Sequence, residues 1–135
     1  RDGLIGTPGY MSPEQARGHD SDHRSDIFSV GAVIYRTLTG HTPFTASNLP
    51  QTLFRIVYIN PKDPATLLKD LPEDIAKVLA LAVAKRPDDR FNHIQDLVDA
   101  FEDARFNNLS PELRHKADQL LKRSPWNANL SEHSG

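Results

Sequence analysis

Four side chains stand out as able to do chemistry: Thr7, Glu14, Asp26 and Arg90. Glu14 follows Ser12-Pro13, and Arg90 closes the polar string Arg86-Pro87-Asp88-Asp89-Arg90. A guanidinium fork matches a carboxylate bidentately, so such a pair would fix geometry as well as charge. Spacing alone leaves open whether the two meet or stay separate surface charges. Asp26 opens an apolar stretch and reads as a helix cap, since an acceptor there satisfies unpaired N–H groups. Thr7, between Gly6 and Pro8, reads on type alone as a turn residue. His19, His23, His41, His93, His115 and His133 show no metal-ligand spacing and are expected to be solvated. Asp88 and Asp89 form no evident acid–base pair and suit a loop.

Helical blocks punctuated by Pro and Gly must position these groups. Ser12-Pro13-Glu14-Gln15 is a capping box opening a short helix that stops near Gly18. His19 to Arg24 reads as a loop. From Ser25 to Thr39, Ile27, Phe28, Val30, Ala32, Val33, Ile34, Tyr35 and Leu38 cover more than one stripe, with Gly40 as C-cap. A strand is the alternative for the β-branched run Val30 to Tyr35; length, Asp26 and Gly40 favour a buried helix. Further helices are predicted from about Leu49 to Val57 and from Leu71-Pro72-Glu73-Asp74 onward. Another is capped by Asn92, with Gln95 completing a capping box, and a last one opens at Ser110-Pro111-Glu112. Asn127 to Gly135 has little to bury and is expected to fray, while Trp126 either packs back or offers a contact.

The 135 residues suffice for one small domain with a core. Charged residues are 25%, hydrophobic ones 38%, and the net charge is −2, an ordinary soluble composition without the basic excess of a nucleic-acid binder. No Cys is present, so disulfides and thiolate metal sites are excluded. The longest apolar run, Val78 to Ala84, is too short to cross a bilayer; no membrane segment and a cytoplasmic location are the expectation. Arg1 at the start, with the only Met inside a motif at Met11, reads as a fragment of a longer chain.

Three ordered strings carry a family resemblance. Gly6-Thr7-Pro8-Gly9-Tyr10-Met11-Ser12-Pro13-Glu14 is similar to the end of a kinase activation segment, with Ser12 where Ala is usual. Ser25-Asp26-Ile27-Phe28-Ser29-Val30-Gly31, continuing to Pro43-Phe44, resembles the central buried helix of the kinase C-lobe. There Phe28 stands where Trp or Tyr is often found. Ala84-Lys85-Arg86-Pro87-Asp88-Asp89-Arg90-Phe91 resembles the loop before the last helix. The chain thus resembles the C-terminal part of a bacterial-type Ser/Thr protein kinase domain over residues 1–105, followed by a 106–135 extension with one amphipathic helix.

The resemblance implies a mainly α fold, the helical C-lobe portion of a two-lobed α+β kinase, without the N-lobe. It implies a structural Glu14–Arg90 ion pair, and an Asp26 that also holds the catalytic-loop backbone in the family. It further implies a substrate-side pocket at Gly6, Thr7, Pro8 and Tyr10, with Thr7 contacting the catalytic Asp. The parent would use ATP and magnesium to phosphorylate Ser or Thr of a protein substrate. No Gly-rich phosphate loop, His-Arg-Asp or Asp-Phe-Gly string occurs in residues 1–135. The chain alone is therefore expected to hold no catalytic residue, metal or cofactor and to be inactive. Its expected partners are the N-lobe and catalytic loop, without which Ile27, Phe28, Val30, Val33 and Ile34 would partly face solvent and stability would be marginal. A non-catalytic pseudokinase remnant acting as an interaction module is the alternative; the Asp-Phe-Gly and His-Arg-Asp strings, or degenerate versions of them, would discriminate. An unrelated helical domain would explain the helices but not the ordered strings.

Overall fold

Proline placement sets where several helices begin, because its fixed φ suits the first turn and its missing N–H is not needed there. A computed structural model describes residues 8–133, with Pro13, Pro50 and Pro111 each in the first turn of a helix. The helices are α1 (Pro13–Ala16), α2 (His23–Thr39), α3 (Leu49–Tyr58), α4 (Glu73–Ala82), α5 (Ile94–Ala104) and α6 (Pro111–Arg123). Short 3₁₀ turns at Pro8–Tyr10, Pro64–Thr66, Pro87–Asp89 and Leu130–His133 complete the order. Among the described residues the one β feature is an isolated antiparallel bridge between Ile59 and Asn129. The chain is mainly α, as the C-lobe resemblance implies. Gly6 and Thr7 lie outside the described residues.

Local chemistry explains the helix starts, with two corrections. Ser12 Oγ accepts from Gln15 N–H at 3.3 Å and Gln15 Oε1 accepts from Ser12 N–H at 3.0 Å, closing the expected capping box of α1. Helix α2 starts earlier than expected, at His23, because Asp22 is the cap and accepts from Arg24 N–H at 2.8 Å. Asp26 is therefore not a cap; it is exposed in the first turn of α2, where its charge still favours the positive helix end. Helix α5 starts at Ile94, which puts Gln95 one position too early for a capping box. Its amide bonds Asp99 instead, at 2.8 Å, and the N-cap His93 makes no side-chain cap bond.

Helix α2 is apolar on three sides, and each side has a different fate. Ile27 and Tyr35 face the larger core with α4, α5 and α6, through Val78, Leu79, Leu81, Leu97, Ala117 and Leu120. Phe28 and Ala32 face a second cluster with Phe44, Ile56 and Val83. Val30 and Val33 remain 37% and 43% exposed. Helix α4 is the hub, packing against α2, α5 and α6. It approaches α2 most closely at Gly31, where a Cβ would stand 2.7 Å from Ala82 Cβ and 3.0 Å from Val83 Cγ1.

The extension joins this body. Helix α6 buries Ala117 and Leu120 in the larger core, and half-buried Trp126 packs against it. The expected fraying past Asn127 is corrected up to His133. Asn127 N–H donates to Pro61 O at 2.8 Å and Asn60 N–H to Ala128 O at 3.0 Å. The Asn60 amide clasps Ser124 O, Ser124 Oγ and Pro125 O at 3.0, 2.7 and 2.8 Å. A polar loop with little to bury is held by backbone pairing, which side-chain hydrophobicity does not reveal.

The Gly31 contact gives a direct test of the packing. Gly31→Ala pushes a methyl into Ala82 and should destabilise by about 1–3 kcal/mol, the usual range for overpacking a tight core. A chemical-denaturation midpoint unchanged from the parent chain would show that the two helices are not in close contact.

Candidate functional site

The site is built around Arg90, 1% exposed. Its Nη1 and Nη2 donate to Glu14 Oε2 and Oε1, both at 2.8 Å, a bidentate pair between α1 and the loop before α5. Its remaining donors reach Ala84 O at 2.8 Å, Arg24 O at 3.1 Å and Lys85 O at 3.1 Å. Each guanidinium donor thus has a partner, the condition on which a buried charge is tolerated. The guanidinium also stacks over the Phe28 ring, 5.1 Å from its centroid.

Glu14 is held from its other side by a hydroxyl chain. Ser12 Oγ donates to Ser25 Oγ at 2.9 Å, and Ser25 Oγ donates to Glu14 Oε2 at 2.6 Å. Partial burial pushes the carboxyl pKa up, but the hydrogen bonds from Arg90 and Ser25 outweigh it and hold the group at about 2, below the ordinary 4.5.

The Pro8–Tyr10 turn sits on α2 and α3. Ser29 Oγ donates to Tyr10 O at 2.5 Å and Met11 N–H to Pro8 O at 3.1 Å. Gly9 is buried against Thr45: a Cβ there would lie 2.6 Å from Thr45 Oγ1, so only glycine fits without a shift. Tyr10, Met11, Asp26, Val30, Val33 and Ile34 line an open, mostly apolar groove of ≈ 730 Å³. Of the residues singled out in sequence, Glu14 and Arg90 meet directly, and Tyr10 and Asp26 share this groove.

Several ion pairs were missed by sequence reasoning. Asp88 bonds Arg24 at 2.8 Å and Asp89 approaches Arg123 at 3.4 Å, so the two loop acids tie the turn to α2 and α6. Buried Asp74 accepts from Arg114 at 2.7 Å and from Leu109 N–H at 3.0 Å. Burial pushes its carboxyl up, but the Arg114 and Leu109 bonds win and lower it. Its place in a helix first turn was the signal available; its partner 40 residues away was not. Lys85 was likewise passed over. Its ammonium donates to the carbonyls of Arg55, Ile56 and Ile59 at 3.1, 2.7 and 2.8 Å and lies 4.3 Å from the Phe44 ring centroid. Burial, together with the Arg90 charge, pulls its pKa well below the ordinary 10.5.

Among the described residues no three His, Asp or Glu side chains converge on one point. Asp26 is the one acid on the groove's lining, and Glu14 is consumed by Arg90 and Ser25. What the arrangement does is hold a turn in place.

The chain belongs to the protein kinase domain family, which matches it over residues 1–125, beyond the residue-105 limit of the resemblance read in sequence. Among curated relatives, it is 43% identical over 86 residues to the DNA damage-responsive serine/threonine-protein kinase RqkA of Deinococcus radiodurans, covering 64% of this chain and 13% of that protein. It is 41% identical over 88 residues to the serine/threonine-protein kinase PknB of Mycobacterium tuberculosis, covering 65% of this chain and 14% of that protein. It is 39% identical over 101 residues to the tyrosine-protein kinase MasK of Myxococcus xanthus, covering 75% of this chain and 16% of that protein. The chain therefore spans only 13% to 16% of the length of these relatives. Among the described residues no helix is long and apolar enough to cross a membrane.

The clamp predicts two measurable effects. Removing either partner, Glu14→Ala or Arg90→Ala, should cost about 3–5 kcal/mol, with strong coupling in the double-mutant cycle; additive losses would contradict the pairing. Because the folded Glu14 pKa lies below its ordinary value, its stabilisation is present above about pH 4.5 and is lost as pH falls toward about 2. Acid unfolding of Glu14→Gln should lack that component.

Proposed function

We propose that this chain supplies the substrate-side pocket and helical C-lobe scaffold of a Ser/Thr protein kinase whose parent transfers the ATP γ-phosphoryl group to protein Ser or Thr hydroxyls. The carrying observation is the bidentate Glu14–Arg90 clamp, which fixes the segment ending in Glu14 against the loop before α5. Kinase catalysis is largely positioning plus electrostatics, so a rigid platform for the acceptor is a real contribution even without the phosphate-handling groups. The names of RqkA and PknB support the Ser/Thr assignment; MasK, named a tyrosine kinase, belongs to the same set of relatives.

In this reading Gly6, Thr7, Pro8 and Tyr10 shape the pocket beside the acceptor, and Thr7 contacts the catalytic Asp of the parent. Glu14, Asp26 and Arg90 act structurally. The groove beside Val30 and Val33 receives the catalytic-loop elements of the complete domain. Until it is covered the chain is marginally stable, because half-exposed valines forgo part of the ~1.5–3 kcal/mol that full burial contributes. The division into a 1–105 kinase portion and a 106–135 extension, the protein substrate and a cytoplasmic location belong to this proposal.

Two assays test it. The isolated chain should show no phosphoryl transfer from ATP to a generic Ser/Thr acceptor; turnover above background would overturn its inactivity. In the parent kinase, Thr7→Ala should lower kcat about 10²-fold through lost positioning, with Thr7→Ser restoring most of it. An unchanged kcat would remove Thr7 from the site.

A further inference from the structure

A second, larger cleft of ≈ 910 Å³ opens between the C-terminal end of α2, helix α3 and the 59–62 loop. Its wall carries Arg55, Lys62 and His41, all exposed, and no Asp or Glu lines it. Neither Arg55 nor Lys62 has a carboxylate within ion-pair distance among the described residues, so both charges are available to a ligand. In a chain of net charge −2, two exposed cations with no carboxylate on the lining make this wall locally positive, with Asp63 acting on Tyr35 from outside the lining. We propose that this cleft docks an acidic, extended segment of a protein partner.

Three further features fit that occupant. The C-terminal end of α3 would by itself present bare carbonyls, the negative end of the helix, to an incoming acid. Lys85 donates to the carbonyls of Arg55 and Ile56 and of the following Ile59, so these oxygens are already engaged. The floor offers Phe54, 45% exposed, and half-buried Leu67 to an apolar side chain. Gln51 and Asn127 supply amides for a peptide backbone. The wall is also pre-shaped, which lowers the ordering cost of binding. Tyr35 Oη donates to Lys62 O at 2.6 Å, and the Asn60 clasp and the Ile59–Asn129 bridge hold the loop. Asp63, the acid beside Lys62, caps the next turn by accepting from Ala65 N–H at 2.9 Å. Phe54, Leu67 and the Gln51 and Asn127 amides within one compact cleft suit a peptide, and two exposed cations fall short of the basic stripe that a nucleic acid would call for.

Binding of a fluorescein-labelled peptide of alternating Glu and Leu, followed by anisotropy on the 135-residue chain at low salt, tests the cleft without reference to kinase activity. The Glu peptide should bind at least about tenfold more tightly than its Gln counterpart, with affinity falling as salt rises. The double variant Arg55→Glu with Lys62→Glu should abolish binding, while Lys122→Glu, an exposed cation outside the cleft, should leave it unchanged. Should the charge reversal disturb folding by circular dichroism, Arg55→Gln with Lys62→Gln carries the test, with a weaker but clear loss expected. Equal binding of the Gln peptide, binding that survives both double variants, or tighter binding of a single-stranded oligonucleotide would each overturn the proposal.

Discussion

A guanidinium stripped of water is the constraint from which most of this architecture follows. Burying a cation the size of Arg90 costs several kcal/mol unless its donors are matched. The matching oxygens come from separate parts of the chain: the Glu14 carboxylate on α1, the Arg24 carbonyl at the start of α2, and the Ala84 and Lys85 carbonyls just after α4. Those segments must therefore converge on one point within tenths of an ångström. Hydrophobic clustering alone would tolerate sliding among α1, α2 and α4; the fork of Arg90 does not. Ser12 and Ser25 extend the same demand, because both hydroxyls are buried and each needs the other to complete the chain to Glu14.

The second cation, Lys85, explains how the clamp is tied to α3. Phe28 and Phe44 stack with ring centroids 5.4 Å apart, Arg90 covers the first ring and Lys85 the second. Each positive group thus lies by an aromatic ring of the same stacked pair, which offsets part of the cost of burying it. Two like charges five residues apart in one loop would otherwise repel in a poorly solvated space. Glu14 balances one of them, and the carbonyl end of α3 balances the other.

The legible part of the fold was the part written in local spacing. Capping residues at Ser12 and Ser110, Pro at first turns and the apolar runs of α2 and α4 announced the helices because each signal lies within a few residues of what it controls. The cap was misplaced by four residues at Asp22 against Asp26, with the helix start off by two, and by one residue at His93 against Asn92, since nearby polar side chains compete for the same N–H groups. The Glu14–Arg90 pair was reached only through family resemblance, because 76 residues of separation leave no periodic trace. Asp74 offered only its place in a helix first turn, Lys85 stood in a family string with no role attached to it, and the pinned tail had no signal of either kind. They are long-range polar contacts, invisible to any reading built on hydrophobic period.

Clamp, turn and cleft are mechanically one device. Glu14 lies a few residues after the Pro8–Tyr10 turn, so fixing its carboxylate fixes the turn's distal end. Ser29 fixes the middle of the turn through Tyr10 O, and Gly9 rests on Thr45. Thr45 itself lines the acid-binding cleft, and the cleft's far wall is the α3 terminus that Lys85 holds. A partner segment seated on Arg55 and Lys62 is thus registered against the turn through rigid neighbours, with no flexible linker between them. Under the proposed kinase reading, that register would select acceptors by acidic residues lying outside the immediate phosphorylation site. The clamp would then act on specificity without touching substrate: loosening Arg90 lets the turn and the cleft move independently, and the spacing between dock and acceptor ceases to be defined.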